Sequence, residues 1–524
     1  MRSSRKVKDK RFPMKRFERY PITLYNSLKK EKEVFRPLHP PFVGLYVCGP
    51  TVYGEPHLGH ARAAVTFDVV VRYLEHLGYN VRYVRNITDV GHLEDEEHDR
   101  GEDKIAKKAR LEKLEPMEIA QYYTRLYQEG MDAMNCLRPD IEPTATGHII
   151  EQIELVKKLL DAEIAYERNG NVYFDLGAYT ADHDYGTLSG KILDDLIVGS
   201  RDTEGLEEKK GPHDFALWKR ATDSHIMRWP SPWGEGFPGW HTECSAMSTK
   251  YLGEQFDIHG GGLDLQFPHH EAEIAQCRMA YGKHPAKYWM HNNMITIDGA
   301  KMSKSAGNFV TLNQLFSGDH ELLDRSYSPS VIRFLILQSH YRSKIDFSNE
   351  ALQAAEKGMK KLFAAAELLH SMKPGLKGMS ENQSTATTAL DQEISTHLDQ
   401  FYRHMSDDFN TARALAELFE MASKVHALQQ GQLPLDQLSS EGLQDLQTAF
   451  HVALPDILGL TPSFTAGESN QLQQKLMELL IDLRSDARSR KDFALSDQIR
   501  DRLEEAGVRL KDDKSGKTFY EIDP

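Results

Sequence analysis

The sequence predicts an α/β chain: a parallel-sheet domain split by an inserted domain, then a long α-helical region. Three observations carry this expectation. Between Gly44 and Ile87 an apolar run, a helical pattern and a second apolar run follow one another, the strand–helix–strand order of a parallel sheet. Strand signals of the same kind resume near Phe256-Asp257-Ile258-His259, after the block 148–239, which has a helix and a strand-like run of its own. Beyond about residue 350 the pattern is almost wholly helical, as in Ala412 to Leu428.

In chain order, Gly44-Leu45-Tyr46-Val47-Cys48 reads as a short buried strand broken by Gly49-Pro50-Thr51. A helix starting near Leu58 carries Ala61, Ala64, Val65, Phe67, Val70, Tyr73 and Leu74 at roughly helical spacing, and Gly78-Tyr79-Asn80 ends it. Val81 to Ile87 is the next strand. Residues 94–118, dense in charge, read as an exposed insertion followed by a helix, and Pro139 to Pro143 mark a break. The inserted block holds a helix from Ile149 to Leu160 and a strand-like run from Gly170 to Phe174, and closes on Trp229 to Trp240. Polar stretches at 376–389 and 429–442 interrupt the helical region; the last 60 residues form a small module with a helix from Asp492 to Ala506.

Composition bounds the function. With 524 residues, 40% hydrophobic and 27% charged, the chain has material for three to four globular units, which excludes a disordered chain, a collagen-like fibre and a small disulfide scaffold. Its four cysteines, Cys48, Cys136, Cys244 and Cys277, have no framework spacing, as expected of a reduced, cytoplasmic protein. No apolar run approaches the roughly 20 residues of a membrane span, so no membrane partner is expected. Lys+Arg 64 against Asp+Glu 78 gives −14, so a nucleic acid would need a locally basic face. Residues 1–16 supply one candidate, eight cations against Asp9, although such a block is normally a solvated arm.

Three patterns carry chemistry. Pro56-His57-Leu58-Gly59-His60 falls where the first strand turns into the first helix, at the sheet edge where α/β folds bind ligands. The helix-start amides there suit phosphate, and Gly59 leaves room for a flat base. Lys301-Met302-Ser303-Lys304-Ser305 follows a Gly299 turn and suits a polyphosphate whose charge grows in a transition state. Cys48, Cys244, His269 and Glu273 are competent zinc ligands, the last two at i and i+4 of one helix, with Pro268 placed for its first turn. Without a CxxC pair, spacing alone leaves open two buried core cysteines beside an unrelated helix face.

The HLGH and KMSKS pair, some 240 residues apart, resembles the double signature of class I aminoacyl-tRNA synthetases. Tyr46 to Tyr53, Arg85 to Asp89, Trp240 to Met247, His259 to Gly262, Asp264 and Phe267 to Glu271 narrow the resemblance to the cysteinyl-tRNA synthetase family, closely over 21–350 and more loosely beyond. The resemblance implies a Rossmann-like catalytic domain at 21–147 and 240–292 behind a basic arm at 1–20. It implies a connective insertion at 148–239 and a KMSKS-bearing linker fold at 293–351. An α-helical anticodon-stem bundle at 352–462 and a small anticodon-binding module at 463–524 complete it. It implies a monomeric ligase that activates L-cysteine with ATP and transfers it to the 3′ end of tRNA(Cys), releasing pyrophosphate and AMP.

By the same resemblance His57, His60, Lys301 and Lys304 are catalytic, and Gly59, Met302, Ser303 and Ser305 join them in binding ATP. Thr88, Trp240 and Asp264 bind cysteine; Cys48, Cys244, His269 and Glu273 hold one Zn²⁺ per chain; Mg²⁺ accompanies ATP. Cys136 and Cys277 fall outside the motif and read as structural. The chain departs from the family pattern after Asp89, where Val90-Gly91-His92 and an acidic insertion through about Lys104 replace a continuous Asp-rich stretch; the basic arm is also extra. The nearest rival is a ligase that passes cysteinyl-adenylate to an amino sugar, and the roughly 170 residues beyond the catalytic part argue against it. A non-catalytic RNA-binding relative would not need both motifs intact, and an unrelated nucleotidyl-transferase does not explain the metal set.

Overall fold

The computed structural model describes residues 16–91, 93–95, 100–191, 208–222, 225–297, 299–302, 308–373, 388–462, 466–490, 492–505, 508–512 and 518–522. The arm at 1–15 therefore lies outside the described residues. Four strands, β1 (Phe42–Val47), β2 (Asn80–Arg85), β3 (Phe256–Gly262) and β4 (Ala286–Asn292), form one all-parallel sheet in the order β4-β3-β1-β2. Such a sheet must be covered on both faces, and β1 accordingly buries Val43 and then the consecutive Leu45, Tyr46 and Val47. The chain steps from β1 to β2 on one side and from β3 to β4 on the other. The crevice at the carboxyl ends of β1 and β3 is therefore a topological switch point, where such sheets bind ligands.

Helix α1 (Leu58–Leu77) links β1 to β2 and is interior: Leu58, Val65, Phe67, Val70 and Leu74 are buried along with Arg62, Thr66 and Asp68. Its approach to β3 depends on glycine, because a Cβ on Gly260 would stand 2.3 Å from the Phe67 ring. Helices α2 (Trp240–Leu252) and α3 (His269–Tyr281) belong to the second half of the sheet and are likewise buried over their first turns.

Between the halves lies a four-stranded antiparallel sheet built from Ala165–Arg168, Asn171–Phe174, Phe215–Arg220 and Gly236–Pro238. The sequence suggests only one of these strands. Asn171–Phe174 is buried at all four positions and Phe215–Arg220 at its first four, so neither shows the alternation that marks a half-exposed strand. The charged region after β2 forms a hairpin, Leu93–Asp95 with Arg100–Asp103, and then the helix Lys104–Glu112.

Helices α4 (Pro329–Leu337), α5 (Asn349–Ser371), α6 (Ala389–Ser406), α7 (Thr411–Gln429) and α8 (Ser440–Thr448) follow, the last running into a π-helical turn at Ala449–Ile457. Their apolar faces share one core with α1: Phe334, Leu362, Phe401 and Leu418 join Val65 and Leu74. Two further helices, Ala466–Ser489 and Phe493–Glu505, and the hairpin Val508–Asp512/Thr518–Ile522 end the chain. No helix among the described residues is long and apolar enough to cross a membrane.

One buried ion cluster fastens α1 to the helical region. Asp68 accepts from Arg333, from Arg72 Nε at 2.7 Å and from the Leu137 amide at 2.7 Å, and Arg333 also reaches the Leu458 carbonyl at 2.8 Å. Burial by itself raises the Asp68 carboxyl; the two guanidiniums and the amide outweigh it and hold it below its ordinary value. The stability this group lends is then fully present above its unfolded value, about pH 4, and is lost as pH falls through the lower folded value. Asp68→Asn should destabilise the protein by about 3–5 kcal/mol, because it strands a buried guanidinium. In urea unfolding followed by tryptophan fluorescence, the variant should also lose less stability than the parent between pH 5 and pH 3; equal acid sensitivity would contradict the assignment.

Candidate functional site

The first signature motif folds as a capping box made of histidines. His57 is the N-cap of α1, extended at φ −131°, and its Nδ1 accepts from the Gly59 amide at 3.0 Å. In return the His57 amide donates to Nδ1 of His60 at 3.3 Å, and the two rings stack at 3.9 Å. Because each Nδ1 is an acceptor, the proton of each neutral ring is on Nε2. Burial, with His57 adding to it, holds the His60 ring well below its ordinary value, so His60 is a neutral donor and not a cation. Gly59 also meets a local demand: a Cβ there would stand 2.9 Å from the His57 ring, so glycine makes room for the imidazole itself.

The motif opens onto a cavity of about 630 Å³ at the switch point. His57, Gly59 and His60 line it together with Cys48, Thr88, Trp240, Cys244, Asp264, His269 and Met302, so ten of the fifteen expected site residues meet in one place. Lys301 belongs to a two-residue strand, Ala300–Lys301, paired with Ile295–Ile297. Asp346 anchors the start of that turn by accepting from the Gly299 amide and the Thr296 hydroxyl, both at 2.8 Å. Ser303, Lys304 and Ser305 lie outside the described residues.

Cys48, Cys244 and His269, which line the cavity, and Glu273, which does not, bring one donor atom each within 4.8 Å of one another. Cys48 follows β1, Cys244 sits in the second turn of α2, and His269 and Glu273 share a face of α3, whose N-cap is Pro268 and not a first-turn residue as expected. The thiols are free and their sulfurs are 3.7 Å apart. Two sulfurs at ~2.3 Å from one tetrahedral ion would be ~3.8 Å apart. Glu273 Oε1 lies 3.2 Å from His269 Nε2 and 3.8 Å from Cys48 Sγ. Burial pushes the Cys48 thiol well up, and the Cys244 thiol up to about 12. A dication is the charge that would offset thiolates in such a place. The cluster is compatible with a metal ion.

Sequence reasoning missed the layer behind it. Cys48, His259, His270 and Glu273 also satisfy donor proximity, yet His259 and His270 are not on the cavity wall. His259 Nε2 lies 2.9 Å from Glu273 Oε2, and His270 Nε2 lies 3.2 Å from Cys48 Sγ. A chain of side chains continues from His270 Nδ1 to His291 Nε2 at 2.8 Å and from His291 Nδ1 to Ser27 Oγ at 2.8 Å. His241 Nδ1 meets His269 Nδ1 at 3.0 Å. Burial lowers His270 well below its ordinary value and His291 to about 3, so these rings are neutral. Only their density near the ligands marked them in the sequence.

The three remaining residues stand around the donors. The Thr88 hydroxyl donates to Glu243 Oε1 at 2.6 Å; burial raises the Glu243 carboxyl well above its usual range, and this bond opposes it only in part. Trp240 stacks on His269 at 4.3 Å, and Asp264 is exposed on the turn after β3. Cys136 and Cys277 are buried away from the cavity, Cys136 against Arg333 at 3.6 Å.

The chain matches the family model described as the tRNA synthetases class I (C) catalytic domain over residues 34–357, and the DALR domain over residues 400–461. It is 55% identical to a cysteine–tRNA ligase of Bacteroides fragilis over 496 residues, 94% of this chain and 98% of the relative. It is 54% identical to that of Porphyromonas gingivalis over 95% of this chain and 98% of the relative. Among solved structures it resembles Mycobacterium tuberculosis methionyl-tRNA synthetase in complex with methionyl-adenylate, with a TM-score of 0.53 and 15% identity over 79% of this chain and 89% of that one. Thermus thermophilus arginyl-tRNA synthetase is similar at a TM-score of 0.51 and 14% identity, over 83% and 85%. These two likenesses speak to the fold alone. Identity above one half along nearly the whole length of both sequences is the stronger finding, and by it the chain belongs to the cysteine–tRNA ligase family of class I tRNA synthetases.

Proposed function

We propose that this chain is an ATP-dependent ligase that activates L-cysteine as cysteinyl-adenylate and transfers the acyl group to the 3′ end of tRNA(Cys), acting as a cytoplasmic monomer. The observation that supports the reading is that the HLGH histidines line one cavity with Cys48, Cys244 and His269, three of the four members of the Cys₂-His-Glu set. In the first step a carboxylate oxygen of cysteine forms a bond to the ATP α-phosphorus while the bond to pyrophosphate breaks. In the second, a hydroxyl of the terminal ribose takes the acyl carbon and AMP leaves.

The chain's part in step one is positioning and charge stabilisation. The Nε2–H groups of His57 and His60 donate to phosphate oxygens beside the α1 amides. Lys301 and Lys304 close over the β- and γ-phosphates, whose Mg²⁺ arrives with the nucleotide. Asp264 faces the substrate ammonium, while Thr88 and Trp240 shape the pocket. Cys48, Cys244, His269 and Glu273 would hold one Zn²⁺. Bound there, the ion would supply Lewis acidity that favours a substrate thiolate over the serine hydroxyl. Oxygen-for-sulfur exchange is a difference that shape alone discriminates poorly. The amino-sugar alternative has less support, since the ligases this chain resembles are matched over 98% of their length.

Purified protein should carry about one zinc per chain by elemental analysis, as one donor set implies. Cys244→Ser should lose the metal and, with it, cysteine-dependent ATP–pyrophosphate exchange; normal exchange in a zinc-free Cys244→Ser protein would sink the zinc role. His60→Ala should slow exchange by ~10²-fold, the scale of losing one transition-state donor. Because burial keeps that ring neutral, the loss should be the same at pH 6 and pH 8, and a loss confined to one end of that range would contradict the donor assignment.

A further inference from the structure

At the α1 end of the cavity the described residues of the signature motif supply hydrogen-bond donors and not cations. Its histidines at the α1 end act as acceptors at Nδ1 and, for His60, as a neutral ring, so that end offers donors but no full positive charge. Among the described residues on the cavity wall, the other cationic side chains are Arg62, Lys104 and Lys191. Arg62 points its terminal nitrogens away from a ligand: NH1 donates to the Ile336 carbonyl, and NH2 to those of His340, Tyr341 and Ser343, at 2.9–3.1 Å. Lys191 stands over the Phe267 ring at 4.2 Å, beside Pro268 and His269 at the metal-binding end.

Lys104 is on the other side. Its ammonium lies 5.6 Å from the centre of the Tyr53 ring, on the stretch of wall that runs through Gly54 and Glu55 to His57. The placement is built. Lys104 opens the helix Lys104–Glu112, whose N-cap Asp103 accepts from the Ile105 and Ala106 amides at 2.9 and 3.0 Å. The second oxygen of the buried Asp103 accepts from the Gly91 amide at 2.8 Å. The chain thus leaves the sheet edge at Gly91, makes the hairpin that pairs Leu93 with Asp103, and is clasped back at its starting point. The described residues of the insertion thus return to the sheet edge, and Lys104, at their end, lies on the cavity wall.

We propose that Lys104 is a substrate-contacting residue that binds a nucleotide phosphate of the reaction, an inference that rests on the ligase reading above. Phosphate oxyanions enter this cavity from two sources, the ATP polyphosphate and the last phosphodiester of an RNA 3′ end. The Lys104 ammonium stands over Tyr53, four residues before the α1 N-cap His57 in the chain, and this favours ATP. A charge-assisted contact of this type is made in ground and transition state alike, so it acts chiefly on KM.

The test uses the full-length, zinc-loaded chain with Lys104→Gln and Lys104→Arg. Cysteine-dependent ATP–pyrophosphate exchange gives KM for ATP, and charging at saturating ATP gives KM for tRNA. Lys104→Gln should raise KM for ATP about tenfold with little change in kcat, the signature of lost uniform binding. Lys104→Arg should recover most of it, and zinc content and unfolding midpoint should stay at parental values. A rise in KM for tRNA alone would keep the phosphate contact and assign it to the RNA. Unchanged KM for both, or a loss that tracks a lowered unfolding midpoint and is not rescued by Arg, overturns the proposal. Absence of cysteine-dependent exchange in the parent protein would instead overturn the ligase reading.

Discussion

Two sulfurs 196 residues apart in sequence stand 3.7 Å apart at the bottom of the crevice, and much of the fold exists to hold them there. Cys48 is delivered by the end of β1 and Cys244 by α2, so the two halves of a split sheet must close on each other before the donor set exists. The third and fourth donors come from one face of α3. Bringing three potential anions and a ring into a buried place is unfavourable unless each has a partner. The histidine layer answers part of that need, through His259 on Glu273 and His270 on Cys48. A cation, with which this set of donors is compatible, would answer the rest.

Helix α1 is the second organiser, because both its first turn and its interior are committed. Its first turn presents two neutral imidazoles; its middle is anchored by Arg62 on the carbonyls of the 336–343 segment and by Asp68 on Arg333. The segment that follows, Ile345–Phe347, pairs with Ile295–Ile297, from which the KMSKS turn departs. On its other side Asp408, in the loop between α6 and α7, accepts from the Tyr25 amide, the Tyr341 hydroxyl and Arg342 at 2.7–2.8 Å. One short stretch of chain therefore touches the HLGH helix, the strand before the KMSKS loop and the helical region. That arrangement fits a molecule whose substrates must be presented to one cavity from different directions.

Much of this was legible in the residues. The strand–helix–strand around HLGH emerges as β1 (Phe42–Val47), α1 (Leu58–Leu77) and β2 (Asn80–Arg85), because a turn signal bounds each element. The helix from Ala412 to Leu428 is α7, Thr411–Gln429. The donor set was legible only through resemblance, since its members come from three separate elements and periodicity cannot report a distance between them. What stayed hidden has physical causes. The strands of the inserted sheet are buried without alternation. His259, His270 and His291 act on other side chains rather than on a ligand, and pairwise contact across a sheet leaves no local pattern. The clasp from Asp103 to Gly91 spans a detour whose charge reads as mere exposure.

The central claim is that sulfur selectivity comes from the buried Cys₂-His-Glu set holding a metal ion. The most direct test is to charge tRNA(Cys) transcript with cysteine and with serine, before and after the protein is treated with a zinc chelator. The account predicts efficient cysteinylation, negligible serylation, and loss of cysteinylation on chelation that is restored by added Zn²⁺. Undiminished charging with cysteine by the metal-free protein, still at the exclusion of serine, would contradict it.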